Sequence, residues 1–135
     1  MKYSITLKSF YRIALWLPLI LPAVSFTVPT GIHFLFFASL VFGGAQYLLF
    51  ALFVSYYYRN ATAAELARFS LKAPIIFTPF CFIGLFLYGF VVGREDFASY
   101  SSLLLSLLAL LFGYFYVALA HLLAFVLKKI GFIKN

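Results

Sequence analysis

Four apolar runs occupy almost the whole chain and constrain its fold more than any other feature. They cover about residues 10–28, 33–57, 74–92 and 102–127. Each approaches or exceeds the roughly 20 residues that a helix needs to cross a hydrocarbon core of about 30 Å. In lipid, the backbone N–H and C=O groups must form hydrogen bonds within the protein, as they do in a helix. The runs also lack the alternation of apolar and polar residues that is typical of barrel strands. The sequence therefore predicts an all-α, polytopic membrane protein, an antiparallel bundle of four transmembrane helices.

The composition supports a single membrane domain over residues 1–135. Hydrophobic residues make up 66% of the chain and charged residues only 10%, whereas soluble domains carry about 25% charged residues. The excess apolar surface must face lipid or other membrane helices. We expect the first run to be retained and not cleaved as a signal peptide, because Pro18 and Pro22 interrupt its apolar core.

Basic residues mark one side of the predicted bundle. Nine of the ten fall at the same set of run ends: Lys2, Lys8, Arg12, Arg59, Arg68, Lys72, Lys128, Lys129 and Lys134. Arg94, beside Glu95 and Asp96, falls on the other side. The preference for cytoplasmic lysine and arginine predicts that both termini and the middle loop face the cytoplasm, with the chain in the cell inner membrane. Basic residues placed between apolar runs favour contact with lipid headgroups over nucleic-acid binding.

The middle loop carries the start of a further helix. Thr62 and Glu65 have the spacing of a capping box, in which hydroxyl and carboxylate satisfy reciprocal backbone donors. This pattern predicts a short helix over about 63–72 that lies on the cytoplasmic membrane surface. We expect it to break at Ala73–Pro74, because proline disfavours helical geometry in the residue before it.

Prolines occur in two of the predicted spans. Pro18 and Pro22 lie in the first, and Pro74 and Pro79 lie in the third. Each proline removes a backbone donor, so both spans should kink or pack against a polar partner. Broken helices also line substrate sites in transporters. The pattern fits a structural bend or a functional site.

Gln46 is a strongly polar residue near the middle of the second span. It shares one helical face with Ser39 and Gly43, at spacings of three and four. A glutamine facing lipid is costly, so this face should meet another helix. The amide would form an interhelical hydrogen bond there, or contact a substrate or quinone.

Small residues form a stripe along the fourth span, here called the small-residue stripe. Its members are Ser102, Ser106, Ala109, Gly113, Ala120 and Ala124. At the outer end of the third span, Gly89 and Gly93 have the same small-residue spacing. Such faces let helix backbones approach closely. The sequence predicts that they pack, either inside one bundle or between two copies.

The two histidines are the candidate cofactor-binding residues of the sequence. His33 falls at the outer end of the second span and His121 near the cytoplasmic end of the fourth, so one haem could not bind both. His121 alone is a candidate ligand for haem or contact for a quinone. The interpretation we favour is that His121 is a neutral, hydrogen-bonded packing residue and His33 an interfacial anchor. We therefore expect no cofactor and no metal.

The remaining chemistry is sparse. All three carboxylates, Glu65, Glu95 and Asp96, fall in loops, and no nucleophile stands at a suitable spacing from a base. We expect no enzyme, but an accessory, assembly or inhibitory subunit that contacts another membrane protein or a second copy of itself. One alternative is a protomer of a small oligomeric transporter or channel. The other is a haem- or quinone-binding redox subunit.

Overall fold

The computed structural model describes residues 5–25, 32–94 and 100–134, without the side chains of 25, 32–39, 41 and 42. The elements in these ranges are β1 (Ile5–Thr6), α1 (Leu7–Ser25), α2 (Ile32–Tyr57), α3 (Ala63–Val91), α4 (Ser102–Lys129) and β2 (Ile133–Lys134). The predicted helical fold is confirmed. The predicted end of the first span near 28, the loop over 29–32 except Ile32, and the turn at Glu95 and Asp96 lie outside the described residues.

Three described segments are long and apolar enough to cross a membrane: Leu7–Val24 within α1, the whole of α3 and the whole of α4. Many of their large apolar side chains are exposed, among them Ile13, Ile83 and Leu111. Because water would disfavour so much exposed apolar surface, these faces suit a hydrocarbon environment. The chain is a helical membrane protein.

The helix predicted over 63–72 does begin at Ala63, but the predicted break at Ala73–Pro74 is wrong. α3 continues without interruption through Pro74 to Val91. Leu66 and Phe69, which were expected to lie at the membrane surface, are buried inside the molecule, each 7% exposed. Pro74 is itself buried. Packing on both sides of the proline therefore holds the helix together, and this tertiary contact outweighs the local preference of the residue before proline.

The predicted capping box at the start of α3 is confirmed. The Thr62 hydroxyl accepts a hydrogen bond from the Glu65 backbone N–H at 3.3 Å, and the Glu65 carboxylate accepts one from the Thr62 N–H at 2.7 Å. These two bonds satisfy donors that have no partner within the helix. They define where α3 begins.

Four helix ends meet at one end of the molecule. Arg12 near the start of α1 donates a hydrogen bond to the carbonyl of Arg59, which follows α2. His121 near the end of α4 contacts Tyr11 of α1 and Ser70 in the first part of α3. Consecutive helices therefore run in opposite directions. We call this the basic end, after its described basic residues Lys8, Arg12, Arg59, Arg68, Lys72, Lys128, Lys129 and Lys134.

A two-stranded parallel ladder joins the two ends of the described chain. Ile5 pairs with Ile133 and Thr6 with Lys134, and the side chain of Ile133 is buried at 4% exposure. The chain reaches this position because Gly131, at φ 75°, ends α4 in the left-handed conformation and turns the backbone. Strands of two residues leave no periodic pattern, so the sequence did not predict this pairing.

Candidate functional site

A cavity of about 270 Å³ lies between the four helices, in the half of the molecule nearest the basic end. Its walls are mostly apolar and aromatic: Leu15 and Trp16 from α1, Tyr47, Phe50 and Val54 from α2, Leu66, Phe69, Pro74 and Phe77 from α3, and Val117 and Ala120 from α4. Arg12 and Arg59 also line it. Because both arginines are exposed while Phe50 is buried at 2% exposure, the arginines stand at the entrance.

Two residues of the cavity wall, Ala14 and Leu15, lie about one turn before a proline in α1. Pro18 has no N–H to donate to the carbonyl of Ala14, and its ring crowds the preceding turn. The Tyr116 hydroxyl of α4 donates to that carbonyl at 2.6 Å. The Tyr47 hydroxyl of α2 donates to the next carbonyl, that of Leu15, at 2.8 Å. The backbone that the proline opens is thus bonded to two other helices.

His121 connects three helices beside this cavity. Its Nδ1 lies 3.1 Å from the Tyr11 hydroxyl and its Nε2 lies 2.8 Å from the Ser70 hydroxyl. Ser70 donates its own proton to the carbonyl of Ala67 at 2.7 Å, so it accepts from Nε2. A neutral ring protonated at Nε2, with Tyr11 donating to Nδ1, satisfies all three bonds. Sequence reasoning placed His121 on a packing face but could not identify these partners.

The same contacts bear on a redox role. Both ring nitrogens of His121 face protein hydroxyls, so a haem iron or a quinone oxygen would have to displace Tyr11 or Ser70. The side chain of His33 lies outside the described residues. Within the described ranges, no group of three histidine, cysteine, aspartate or glutamate side chains is placed to hold a metal ion.

The small-residue stripe faces α3. Ser102 and Ser106 are fully buried, and Ser106 donates a hydrogen bond to the carbonyl of Ser102 at 2.6 Å. A Cβ built on Gly113 would lie 3.0 Å from the Cβ of Pro74. Ala109 is half-buried, and Ala120 is half-buried at the cavity wall. At Gly113 the close approach is therefore made inside one chain.

Gln46 packs against α3. A Cβ built on Gly84 would collide with the Gln46 side chain, so the glycine provides the space that the amide occupies. The Gln46 Oε1 is buried without a hydrogen-bond partner among the described residues. A Cβ built on Gly43 meets no described atom within 4 Å, and the side chain of Ser39 lies outside the described residues. Sequence analysis missed Gly84, for which the only signal was a glycine within an apolar run.

Gly93 does not extend the packing face of Gly89. It follows the end of α3 at φ 69°, where its N–H bonds to the carbonyl of Phe90 and the N–H of Arg94 bonds to the carbonyl of Gly89. This pattern of two bonds ends a helix and favours glycine at the left-handed position. The predicted helix-packing role of Gly93 is wrong for this reason, whereas Gly89 is buried within α3.

The entrance of the cavity is positively charged. The Arg12 Nη2 donates to the backbone carbonyl of Arg59 at 2.5 Å, so the two residues are neighbours across the α1–α2 pair. Glu65 is the one carboxylate within the described ranges, and it bonds to Thr62. The Arg12 guanidinium therefore keeps further N–H donors beyond the one that it uses on the Arg59 carbonyl.

No protein family, no curated protein and no solved structure matches this chain. Function must therefore be inferred from the geometry of the molecule.

Proposed function

We propose that the chain is a four-span protein of the cell inner membrane with both termini in the cytoplasm. α2 supports a fourth span because its 26 residues contain no Asp, Glu, Lys or Arg, and such a helix is about 39 Å long. The basic end supports the orientation, since cytoplasmic segments are enriched in lysine and arginine. A reporter that is active only in the cytoplasm, fused before Met1 or after Asn135, should be active in both fusions. An active periplasmic reporter at either end would contradict the orientation.

Within that membrane, the protein acts as an accessory, assembly or inhibitory subunit that binds another membrane protein or a second copy, without a reaction of its own. The observation that carries this proposal is the outer face of α4. In its most apolar stretch, α4 buries a smaller share of residues inside the molecule than α1 and α3 do in theirs. Its small-residue stripe faces α3, while Leu111, Phe115 and Leu122 are 60–66% exposed. These three residues form the outer stripe, a rigid apolar surface that a partner helix fits.

Site-specific photocrosslinking in native membranes tests this role. A photoreactive residue at Leu111, Phe115 or Leu122 should give one discrete protein adduct, because a partner helix would cover all three. Leu49 of α2, which is 62% exposed, is the matched control and should give lipid adducts alone. The adduct at Phe115 should disappear when Leu111 and Leu122 are both replaced by alanine. Lipid adducts from every position, together with a lone monomer in mild detergent, would rule the proposal out.

The second candidate function is a transport protomer, and the cavity is the observation that favours it. Both proline-containing helices, α1 and α3, contribute residues to the cavity lining, and Pro74 forms part of its wall. Solute flux across reconstituted vesicles should then fall when Ala120→Leu narrows the cavity. Gln46→Leu is a weaker test of this function, because Gln46 contacts α3 and is not part of the cavity lining. Vesicles that contain the protein and stay impermeable would exclude transport.

A further inference from the structure

We propose that the cavity binds an acyl chain of an anionic lipid and that Arg12 and Arg59 bind the phosphate of its headgroup. This inference goes beyond the subunit role and does not depend on it. The ligand class follows from three properties of the site: the polarity of its walls, the state of its two arginines and its depth in the molecule.

The interior of the cavity suits a hydrocarbon chain. Phe50, Phe77 and Val117 supply apolar walls. The hydroxyls of Tyr47 and Tyr116, which also line it, donate to backbone carbonyls of α1. A hydroxyl has a single proton to donate, so these two have no donor left for a ligand. The volume of about 270 Å³ lies just below the roughly 300–1,000 Å³ of pockets for drug-sized ligands, which fits part of one chain.

The entrance suits a phosphate group. A guanidinium presents five N–H donors in a planar fork that matches phosphate oxygens. Arg12 uses one of these donors on the carbonyl of Arg59, which fixes the two residues beside each other. Glu65, the carboxylate of the described ranges, bonds to Thr62 instead. The positive charge at the entrance is thus available to an anion.

The depth of the site matches that of a lipid headgroup. Arg12 and Arg59 lie at the basic end, next to the exposed residues Tyr56 and Tyr57. Tyrosine is enriched where the hydrocarbon core meets the headgroups, and basic clusters at that level attract anionic lipids. A lipid with its phosphate at the arginines would direct a chain toward Phe77, deeper in the bundle. A free anion would use the arginines and leave the apolar cavity without a role.

The single tryptophan of the chain makes this proposal measurable, because Trp16 lines the cavity. The full-length protein is reconstituted in phosphatidylcholine vesicles with a minor fraction of phosphatidylglycerol brominated on its acyl chains. Parallel vesicles carry the same fraction of brominated phosphatidylcholine. Bromine quenches tryptophan at short range, so the anionic lipid should quench Trp16 more strongly. Arg59→Gln should lower this preference about fivefold, as expected for one basic residue near a headgroup.

Two variants separate the cavity from general surface charge. Lys128→Gln with Lys129→Gln removes two charges from the basic end but none from the cavity lining, and it should keep most of the preference. Ala120→Phe fills the cavity and leaves both arginines in place. In this variant, the anionic lipid should no longer quench Trp16 more strongly than phosphatidylcholine does. Circular dichroism and size-exclusion profiles verify that each variant is folded. Equal quenching by both lipids in the wild type, or equal losses in Arg59→Gln and the lysine variant, would overturn the proposal.

Competition distinguishes a lipid from a free anion. Decyl phosphate, which joins the same charged group to a chain, should relieve the quenching, whereas inorganic phosphate at the same concentration should not. If inorganic phosphate competes equally well, the site binds free anions and the lipid proposal fails. None of these outcomes depends on the crosslinks of the outer stripe, so the two proposals fail separately.

Discussion

The Tyr116 hydroxyl lies 2.6 Å from the carbonyl oxygen of Ala14, the backbone group that Pro18 leaves without its helical donor. A proline in the first helix and a tyrosine in the last are therefore parts of one interaction. Without the hydroxyl, that carbonyl would be only partly satisfied between packed helices. Without the proline, the hydroxyl would compete with an ordinary backbone bond.

Tyr116→Phe should lower the free energy of unfolding by about 1 kcal/mol, near the lower limit of the cost of an unsatisfied polar group, because this hydrogen bond is part-buried. The cost should be smaller when Pro18→Ala is also present, because residue 18 then regains its N–H. Thermal unfolding of the two single variants and the double variant in detergent measures this coupling. Tyr114→Phe, at an exposed tyrosine of the same helix, is the control. Additive effects of Tyr116→Phe and Pro18→Ala would show that the two residues act independently.

Gly84→Ala should destabilise the protein strongly, because its Cβ would occupy the space of the Gln46 side chain. Overpacking of this kind costs about 1–3 kcal/mol. Gln46→Ala should rescue Gly84→Ala, since it removes both the collision and the buried amide oxygen. The melting temperatures of the single and double variants test this. A double variant no more stable than Gly84→Ala alone would contradict the contact.

Two other glycines should respond in opposite directions to alanine. At Gly113 the new Cβ would press against the ring of Pro74 at 3.0 Å, and neither the ring nor the two helix backbones can yield easily. At Gly43 the new Cβ would meet no described atom within 4 Å. Alanine should therefore raise the free energy of unfolding by about 0.5–1 kcal/mol, because it loses less conformational entropy than glycine when the helix forms. The melting temperature should fall for Gly113→Ala and rise for Gly43→Ala. Equal shifts would refute the close approach of α3 and α4 at Gly113.

His121→Leu should cost more than the loss of its own packing, because the Tyr11 hydroxyl loses its acceptor and the Ser70 hydroxyl loses the N–H from which it accepts. Each unsatisfied polar group costs about 1–3 kcal/mol when buried, and these half-buried groups should fall near the lower limit. Adding Tyr11→Phe and Ser70→Ala to His121→Leu should recover part of the loss, since no hydroxyl then lacks a partner. Chemical unfolding of the single and triple variants is the measurement. A triple variant with the summed losses would argue against the network.

Thr62→Ala should loosen the start of α3 by about 1 kcal/mol, the usual value of an N-cap. Thr62→Ser keeps the hydroxyl that accepts from the Glu65 N–H and should retain most of the stability. Hydrogen exchange at the Glu65 amide reports the effect locally, with faster exchange expected in Thr62→Ala alone. Unchanged exchange in both variants would mean that the capping box does not hold this helix end.

The sequence predicts the proline-free helices well and the others less well. α2 and α4 begin and end within two residues of the runs at 33–57 and 102–127, because unbroken apolar stretches bounded by polar residues leave little choice. The continuity of α3 could not be foreseen from the local effect of Pro74, since it depends on the burial of Phe69 against α2.

The cavity was also beyond sequence reasoning, for a different reason. Arg12, Arg59 and Tyr116 are far apart in the chain, and no spacing relates them before the helices pack. By contrast, the spacing of Ser106 and Gly113 already placed them on one face of a helix. What the spacing could not tell is whether α3 or a second molecule would cover that face.

The pairing of Ile5 with Ile133 has a consequence for the connectivity of the chain. Because the two ends of the described chain lie side by side, a short linker between them could close the polypeptide into a ring without moving any helix. New ends could then be opened at Asn60, in the exposed turn between α2 and α3 at the same end of the molecule. Such a circular permutant would keep the helix contacts of the described residues and place α3 and α4 before α1 and α2 in the chain.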